Sequence, residues 1–249
     1  MFLSLLHIDT GGDPDRPRPG REWLRNLYRV HQRLCMAFPS DARKTGDPDF
    51  LAPFSTSDFG DKQVHVPRGE ENGFLFRIEP SRSGQTNILV QSAVEPDWDY
   101  AFHNAGHFLA SPTEVKHASM CFDDGQALRF RLVTNPTRKI DTKTGSDGAK
   151  RNGRRVPVPV DQLFPWLSKR AELLGFSVDE GSTAVQPGYA YFKKSPREKE
   201  EEARLRSVCY DGVLNVIDPN MFKGAITSGI GPGKSLGFGL LSVAPVEST

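Results

Sequence analysis

The chain is short of cysteine, of long apolar runs and of net charge, and each shortage removes a class of protein. Its three cysteines, Cys35, Cys121 and Cys209, lie far apart, are odd in number and form no Cys-x-x-Cys pair. Neither a disulfide framework nor a zinc knuckle is expected, and a reduced, cytoplasmic setting fits. No apolar run approaches the roughly 20 residues of a membrane-spanning helix. The opening Phe2-Leu3-Ser4-Leu5-Leu6-His7-Ile8-Asp9 is too short, and lacks the basic lead, for a signal peptide. With 32 Lys and Arg against 31 Asp and Glu, the formal net charge is only +1. Any basic surface must therefore be local, which leaves nucleic-acid binding open. His103 and His107 stand at i, i+4, but no carboxylate or cysteine supports them at ligand spacing, so no metal is assigned and no cofactor is implied. The 249 residues suffice for one large domain or two small ones.

Glycine is what the chain has in concentration. Between Gly229 and Gly239 the sequence runs Gly-Ile-Gly-Pro-Gly-Lys-Ser-Leu-Gly-Phe-Gly, ahead of a final strand expected over 240–246. A loop rich in N–H groups and free to take positive φ, with Lys234 at its centre, is a seat for phosphate oxygens. Residues 228–235 come near a nucleotide-binding P-loop, but Ser228 stands where that motif needs glycine. The residues before it are helix-like, those after it are strand-like, and too few remain to complete a nucleotide-binding sheet. A glycine hairpin without ligand is the plainer alternative.

The clearest helix is expected over 21–38, stopped by Pro39. Leu24, Leu27, Leu34 and Phe38 share one stripe. Arg21, Arg25, Arg29 and Arg33 recur every fourth residue and lie roughly opposite, with Tyr28 at the seam and His31 near it on the apolar side. The plain readings are a satisfied core histidine and a solvated arginine face. Together, a histidine and a tyrosine one turn apart beside fixed cations could perform acid–base work on a phosphodiester.

Elsewhere, strands are expected over 2–8, 74–78 and 88–92, with polar loop over 40–68 and a boundary near 111–124. A strand over 127–133 alternates arginine with apolar residues, so one face buries and the other is cationic. It leads through Arg138 and Lys139 to a basic, glycine-containing loop over 143–155, which is either a solvated hairpin tip or a phosphate-tracking finger. A short strand over 156–158 and a helix over 161–174 come next, with Asp161 as N-cap and Gly175 as stop. Strands are expected over 176–178, 189–192 and 208–216, a solvated helix or insertion over the charged run 195–206, and a short helix over 218–228. This order predicts an α+β protein of two tandem αβ sandwiches, over 1–115 and 125–249, each a four-stranded antiparallel sheet with helices on one face.

Three stretches in this order resemble the CasE family of CRISPR precursor-RNA endoribonucleases from type I-E (Cascade) systems. They are Tyr28-Arg29-Val30-His31-Gln32-Arg33-Leu34, Arg129 through Lys139, and Gly229 through Gly239, and the likeness spans essentially the whole chain. The resemblance implies two ferredoxin-like (RRM-like) domains and cleavage at the 3′ base of a CRISPR repeat hairpin, without metal, by a monomer that keeps its product and joins other Cascade subunits. It maps the family's catalytic histidine and tyrosine to His31 and Tyr28, and its glycine-rich loop to Gly229 through Gly239, with Gly231, Gly233, Lys234 and Gly237 binding RNA. It also maps an RNA-contacting segment to Arg154 and Arg155.

The chemistry is consistent with the residues. RNA carries its own nucleophile, the 2′-hydroxyl, so cleavage needs positioning, proton transfer and charge neutralisation. Arg154, Arg155 and Lys234 would neutralise a phosphorane, while Arg29, Arg33, Arg138 and Lys139 would grip backbone phosphates. Two rivals stand beside this reading: a non-catalytic double-RRM-like RNA-binding or scaffold subunit, and the P-loop nucleotide binder.

Overall fold

The computed structural model describes residues 1–12, 18–51, 73–80, 85–140, 154–193 and 203–246. The chain divides into two units. The first comprises Met1–Met120, Tyr191–Ala203 and Lys234–Gly237; the second comprises Cys121–Ala190, Arg204–Gly233 and Phe238–Thr249.

The first unit opens on β1 (Phe2–Asp9), followed by α1 (Pro19–Leu24), α2 (Leu27–Cys35) and α3 (Asp41–Gly46). Strands β2 (Phe74–Pro80) and β3 (Gln85–Ser92), helix α4 (Trp98–Phe102) and strand β4 (Glu114–His117) complete it. The sheet order is β2-β3-β1-β4, all antiparallel, with Leu6 opposite Ile88 and Phe2 opposite His117. Alternation decides which face is covered: Leu6 and Ile8 on β1, Ile88 and Val90 on β3, and Phe74 and Phe76 on β2 are buried with Val30, Leu34 and Cys35 of α2. Each such aliphatic or aromatic side chain stabilises the fold by about 1.5–3 kcal/mol.

The helix expected over 21–38 is two helices. Asn26 sits between them in an extended conformation (φ −115°, ψ 95°), and its side-chain oxygen accepts from the Tyr28 N–H at 3.2 Å. The same amide donates to the Lys193 carbonyl at 3.0 Å and accepts from the Lys193 N–H at 3.3 Å. Asparagine is a strong N-cap, and a tertiary partner holds it there, so the local helical periodicity is overridden. The arginine row is accordingly split, with Arg21 and Arg25 outside α2.

The second unit contains β5 (Ala127–Thr134), β6 (Thr137–Ile140), β7 (Arg154–Pro157), α5 (Leu163–Glu172), β8 (Phe176–Val178) and β9 (Ala184–Phe192). It continues with β10 (Ala203–Val216), α6 (Pro219–Ser228) and β11 (Leu241–Pro245). The sheet order is β11-β5-β10-β8, with β9 also pairing β10, so this sheet has five strands where four were expected. β5 buries Leu128, Phe130 and Leu132 and exposes Arg129 and Arg131, as its alternation predicts. Leu163, Leu167 and Ala171 of α5 and Phe222, Ala225 and Ile226 of α6 supply buried helix faces. The Tyr210 hydroxyl donates to the Leu163 carbonyl at 2.9 Å, and burial pushes this phenol's pKa up.

Taking β1, α1–α2, β2, β3, α4, β4 and then β5, α5, β8, β10, α6, β11, each unit has the β-α-β-β-α-β order with its first and third strands central: the ferredoxin-like fold twice over. Several boundaries move. Asp161 lies in a 3-10 turn (Val160–Gln162) and is not the cap of α5, whose first turn is preceded by Gln162 without a side-chain cap. The strand expected over 156–158 is β7, beginning at Arg154 to pair with β6. The charged run over 195–206 is not helical at its end, since Ala203–Arg206 begin β10; its earlier part lies outside the described residues, as do residues 143–153 of the basic loop.

Candidate active site

Helix α2 brings Tyr28, Arg29, His31 and Arg33 to the first unit. Tyr28 and His31 are both half-buried, one helical turn apart. The His31 ring stacks against Phe74 (centroids 5.7 Å apart, planes 29°) and Phe76 (6.4 Å, 10°). Cys35, one turn further on, places its Sγ 3.6 Å from His31 Nε2 and 3.8 Å from Nδ1. Two aromatic faces and a buried thiol thus fix the plane of an imidazole that still reaches the surface.

The glycine-rich stretch approaches the same helix. Its 3-10 turn, Lys234–Leu236, packs on both α2 and β2. Gly237 comes next with φ +81°, and a Cβ there would stand 3.0 Å from Cε2 of Phe76. Only a residue without a side chain lets the backbone rest on that ring in that conformation. Lys234 is half-buried, and desolvation pushes its ammonium below its ordinary pKa. A cation that has already shed water gains more from an approaching phosphate than a fully hydrated one.

All five glycines from Gly229 to Gly239 have positive φ. In the second unit the loop is pinned by backbone bonds, from the Ile230 N–H to the Gly239 carbonyl (2.9 Å) and from the Gly239 N–H to the Val133 carbonyl (2.8 Å). A Cβ at Gly231 would meet Thr134 Oγ1 at 2.5 Å, and that hydroxyl donates to the Ile230 carbonyl at 3.0 Å. Gly233 is similarly tight, since an added Cβ would stand 2.9 Å from Phe238 Cδ2. With α6 ahead of the loop and a 3-10 turn after it, the strand–loop–helix frame of a P-loop is missing.

The remaining candidates separate. Arg33 is turned inward: its Nη1 donates to the Ala101 carbonyl (3.0 Å) and Asn104 Oδ1 (2.7 Å), and its guanidinium lies 4.8 Å over the Phe50 ring. Burial lowers its pKa. It ties α2 to the end of α4 within the fold. Arg29 stays exposed on α2. Arg138 and Lys139 on β6 are exposed, and β7 sets Arg155 directly opposite Lys139 and Arg154 opposite Ile140. His103 caps the end of α4 and His107 lies in a separate 3-10 turn, so the i, i+4 pair does not share a helix. Among the described residues no group of three or more His, Cys, Asp or Glu gathers around a common point, and no helix is long and apolar enough to cross a membrane.

Phe74 and Phe76 were legible only as core residues of a strand. Their alternation marks the covered face of β2 but carries no sign that the ring stacked on them is His31.

The chain matches the model of the CRISPR-associated protein family over residues 1–245. It is 36% identical to the CRISPR-associated endoribonuclease Cse3 of Thermus thermophilus, covering 98% of this chain and 100% of that protein. It is 26% identical to the CRISPR system Cascade subunit CasE of Escherichia coli, covering 99% and 100%. Its fold superposes on that of the CRISPR endoribonuclease Cse3 bound to a 19-nucleotide RNA with a TM-score of 0.70 at 26% identity, covering 98% of this chain and 100% of the other. Matched along nearly its whole length by a family model and by a relative of this similarity, the chain belongs to the CasE family of CRISPR-associated proteins.

Proposed function

We propose that this chain is an endoribonuclease that cleaves CRISPR repeat hairpins in precursor RNA and stays with the product as a Cascade subunit. The relatives' activities and assembly support the class, Cse3 being an endoribonuclease and CasE a Cascade subunit. The observation that carries the chemistry is the orientation of His31: one turn from Tyr28, with its ring plane set by Phe74 and Phe76, beside the Lys234–Gly237 turn.

In the proposed reaction the 2′-oxygen attacks the adjacent phosphorus, the bond from phosphorus to the 5′-oxygen breaks, and the products are a 2′,3′-cyclic phosphate and a 5′-hydroxyl. One proton leaves the 2′-hydroxyl and one is delivered to the departing 5′-oxygen. His31 handles one of these two transfers, a role typically worth about 10²–10⁴-fold in rate. Tyr28 orients the phosphate or the nucleophile by hydrogen bonding, and Lys234 stabilises charge on the phosphorane. Because the nucleophile belongs to the substrate, no metal-bound water is required. In the second unit Arg138, Lys139, Arg154 and Arg155 bind backbone phosphates, and Gly231 and Gly233 shape the loop that leads to Lys234.

The test is incubation of purified protein with a labelled repeat RNA from its own array, with and without EDTA, and then analysis of product ends. Cutting that survives EDTA and leaves a 2′,3′-cyclic phosphate is expected, and His31→Ala abolishes it while leaving hairpin affinity near that of the parent. A magnesium requirement with a 3′-hydroxyl end would assign the protein to another nuclease class. Tight binding without cutting would make it a scaffold.

A further inference from the structure

Next to Lys139 and Arg155, already assigned to RNA backbone, the second unit sets a further cation, Arg170, that the resemblance does not assign. Trp166 on α5 donates its indole Nε1–H to the Thr137 carbonyl at 3.3 Å, fastening the helix to the base of the β6–β7 hairpin. One turn along, the Arg170 guanidinium stacks 4.5 Å from the Trp166 ring centroid. Trp166 also backs the glycine loop, since a Cβ on Gly231 would lie 3.4 Å from its ring. On the hairpin, Lys139 and Arg155 face each other as a directly opposed cross-strand pair.

Like charges directly opposite on a sheet destabilise it. Among the described residues neither Lys139, Arg155 nor Arg170 has a carboxylate within ion-pair distance, although this protein places carboxylates against Arg25, Arg43 and Arg131. Burial, and after it the like charge of Arg155, hold the Arg170 guanidinium below its ordinary pKa. Three cations thus share one stretch of surface with no compensating carboxylate among the described residues, and one of them lies over an indole ring. That is the arrangement expected of groups that await an anion: a planar guanidinium held in place loses little freedom on binding phosphate oxygens.

We propose that Arg170, held by Trp166, forms with Lys139 and Arg155 a binding site for RNA backbone phosphates. This site rests on the reading of the chain as an RNA binder and extends the contact surface from the hairpin to α5. Arg170 contacts phosphate directly; Trp166 is a positioning residue that acts through it.

The test uses the full chain and its repeat hairpin with a 2′-deoxy sugar before the scissile bond, so that binding is read without cutting. Dissociation constants are measured from about 50 to 300 mM salt for the parent, Arg170→Gln and Arg170→Lys. The Gln variant should bind about 3- to 10-fold more weakly at low salt, and its slope of log affinity against log salt should be shallower by about 0.9, the signature of one lost phosphate contact. The Lys variant keeps the charge and should keep the slope. An unchanged slope in the Gln variant overturns the site, as does an equal loss in both variants, which would make Arg170 a cover for Trp166. A parent that fails to bind the hairpin overturns the RNA reading itself, and the two failures are thereby told apart.

Discussion

The imidazole of His31 lies nearly parallel to the ring of Phe76, 6.4 Å between centroids and 10° between planes, and Phe76 is fully buried. A proton-transfer group on a half-buried helix face would otherwise sample several rotamers. Stacking against an immobile ring selects one orientation, and the Gly237 backbone lies so near the same ring that an added Cβ would stand 3.0 Å from it. The placement of the imidazole and the placement of the glycine loop are therefore linked through one side chain.

Phe76→Leu tests this link. The substitution removes three carbons from a buried site but stays apolar, so its stability cost should fall below the about 3–5 kcal/mol of a Phe→Ala change. The stacked face is lost, and a displacement of about 1 Å in a catalytic group can cost on the order of 10²-fold in rate. Single-turnover cleavage should slow by about 10- to 100-fold, on that same scale, with hairpin affinity unchanged. The His31 ring-proton resonances should also shift as the neighbouring ring current disappears. Parent-like resonances would show that Phe76 does not orient the imidazole.

Gly237→Ala adds a methyl group where φ is +81° and Phe76 stands 3.0 Å away. It should destabilise the protein by about 1–2 kcal/mol through the left-handed backbone alone, and lower the cleavage rate by moving Phe76. Gly224, inside α6 with nothing within 4 Å of an added Cβ, is the control. Gly224→Ala should raise stability by about 0.5–1 kcal/mol and leave cleavage alone. Thermal midpoints and single-turnover rates for the pair decide the matter; equal effects would remove any special role from Gly237.

Arg33→Met deletes the hydrogen bonds to Ala101 and Asn104 while keeping much of the apolar stem. Losing hydrogen bonds made by a charged group should cost about 1.5–3 kcal/mol of stability. Since the guanidinium is occupied within the fold, the salt dependence of hairpin binding should not change. A shallower salt slope would place Arg33 in the RNA-contacting set.

Asp97 supplies an acid-sensitive joint. Its carboxylate accepts from the Tyr100 N–H at 2.9 Å as the N-cap of α4 and from Lys44 Nζ at 2.5 Å. Burial pushes its pKa up, but the hydrogen bonds from Lys44 and the Tyr100 N–H outweigh burial, and the net displacement is downward. A depressed folded-state pKa means stabilisation that is present above the ordinary aspartate pKa of about 3.9 and is lost as pH falls through the lower folded value. Asp97→Asn retains the cap but not the charge. The stability gap between parent and variant, from urea midpoints, should be constant near neutrality and close below about pH 4. A gap of the same size in strong acid and at neutrality would exclude the carboxylate from acid unfolding.

The sequence by itself determined strands such as β1, β5 and the end of β10, because alternation of apolar and polar residues is a local property, whereas β4 fell within the stretch expected as a boundary. Ala127–Thr134 shows this most plainly, with its leucines and Phe130 inward and its arginines outward. It also determined the positive-φ loop, since five glycines in eleven residues leave few other uses. Tyr28 and His31 were legible as a pair because one helical turn separates them whatever surrounds the helix. Tertiary structure decided the rest. The break at Asn26 depends on Lys193, 167 residues away, and the inward turn of Arg33 depends on Ala101 and Asn104. That Phe76 orients His31, and that Arg170 stacks beside a hairpin of like charge, are consequences of contacts between residues distant in the chain. A periodic pattern specifies which face of an element is buried; which side chain meets it is fixed only when the elements pack.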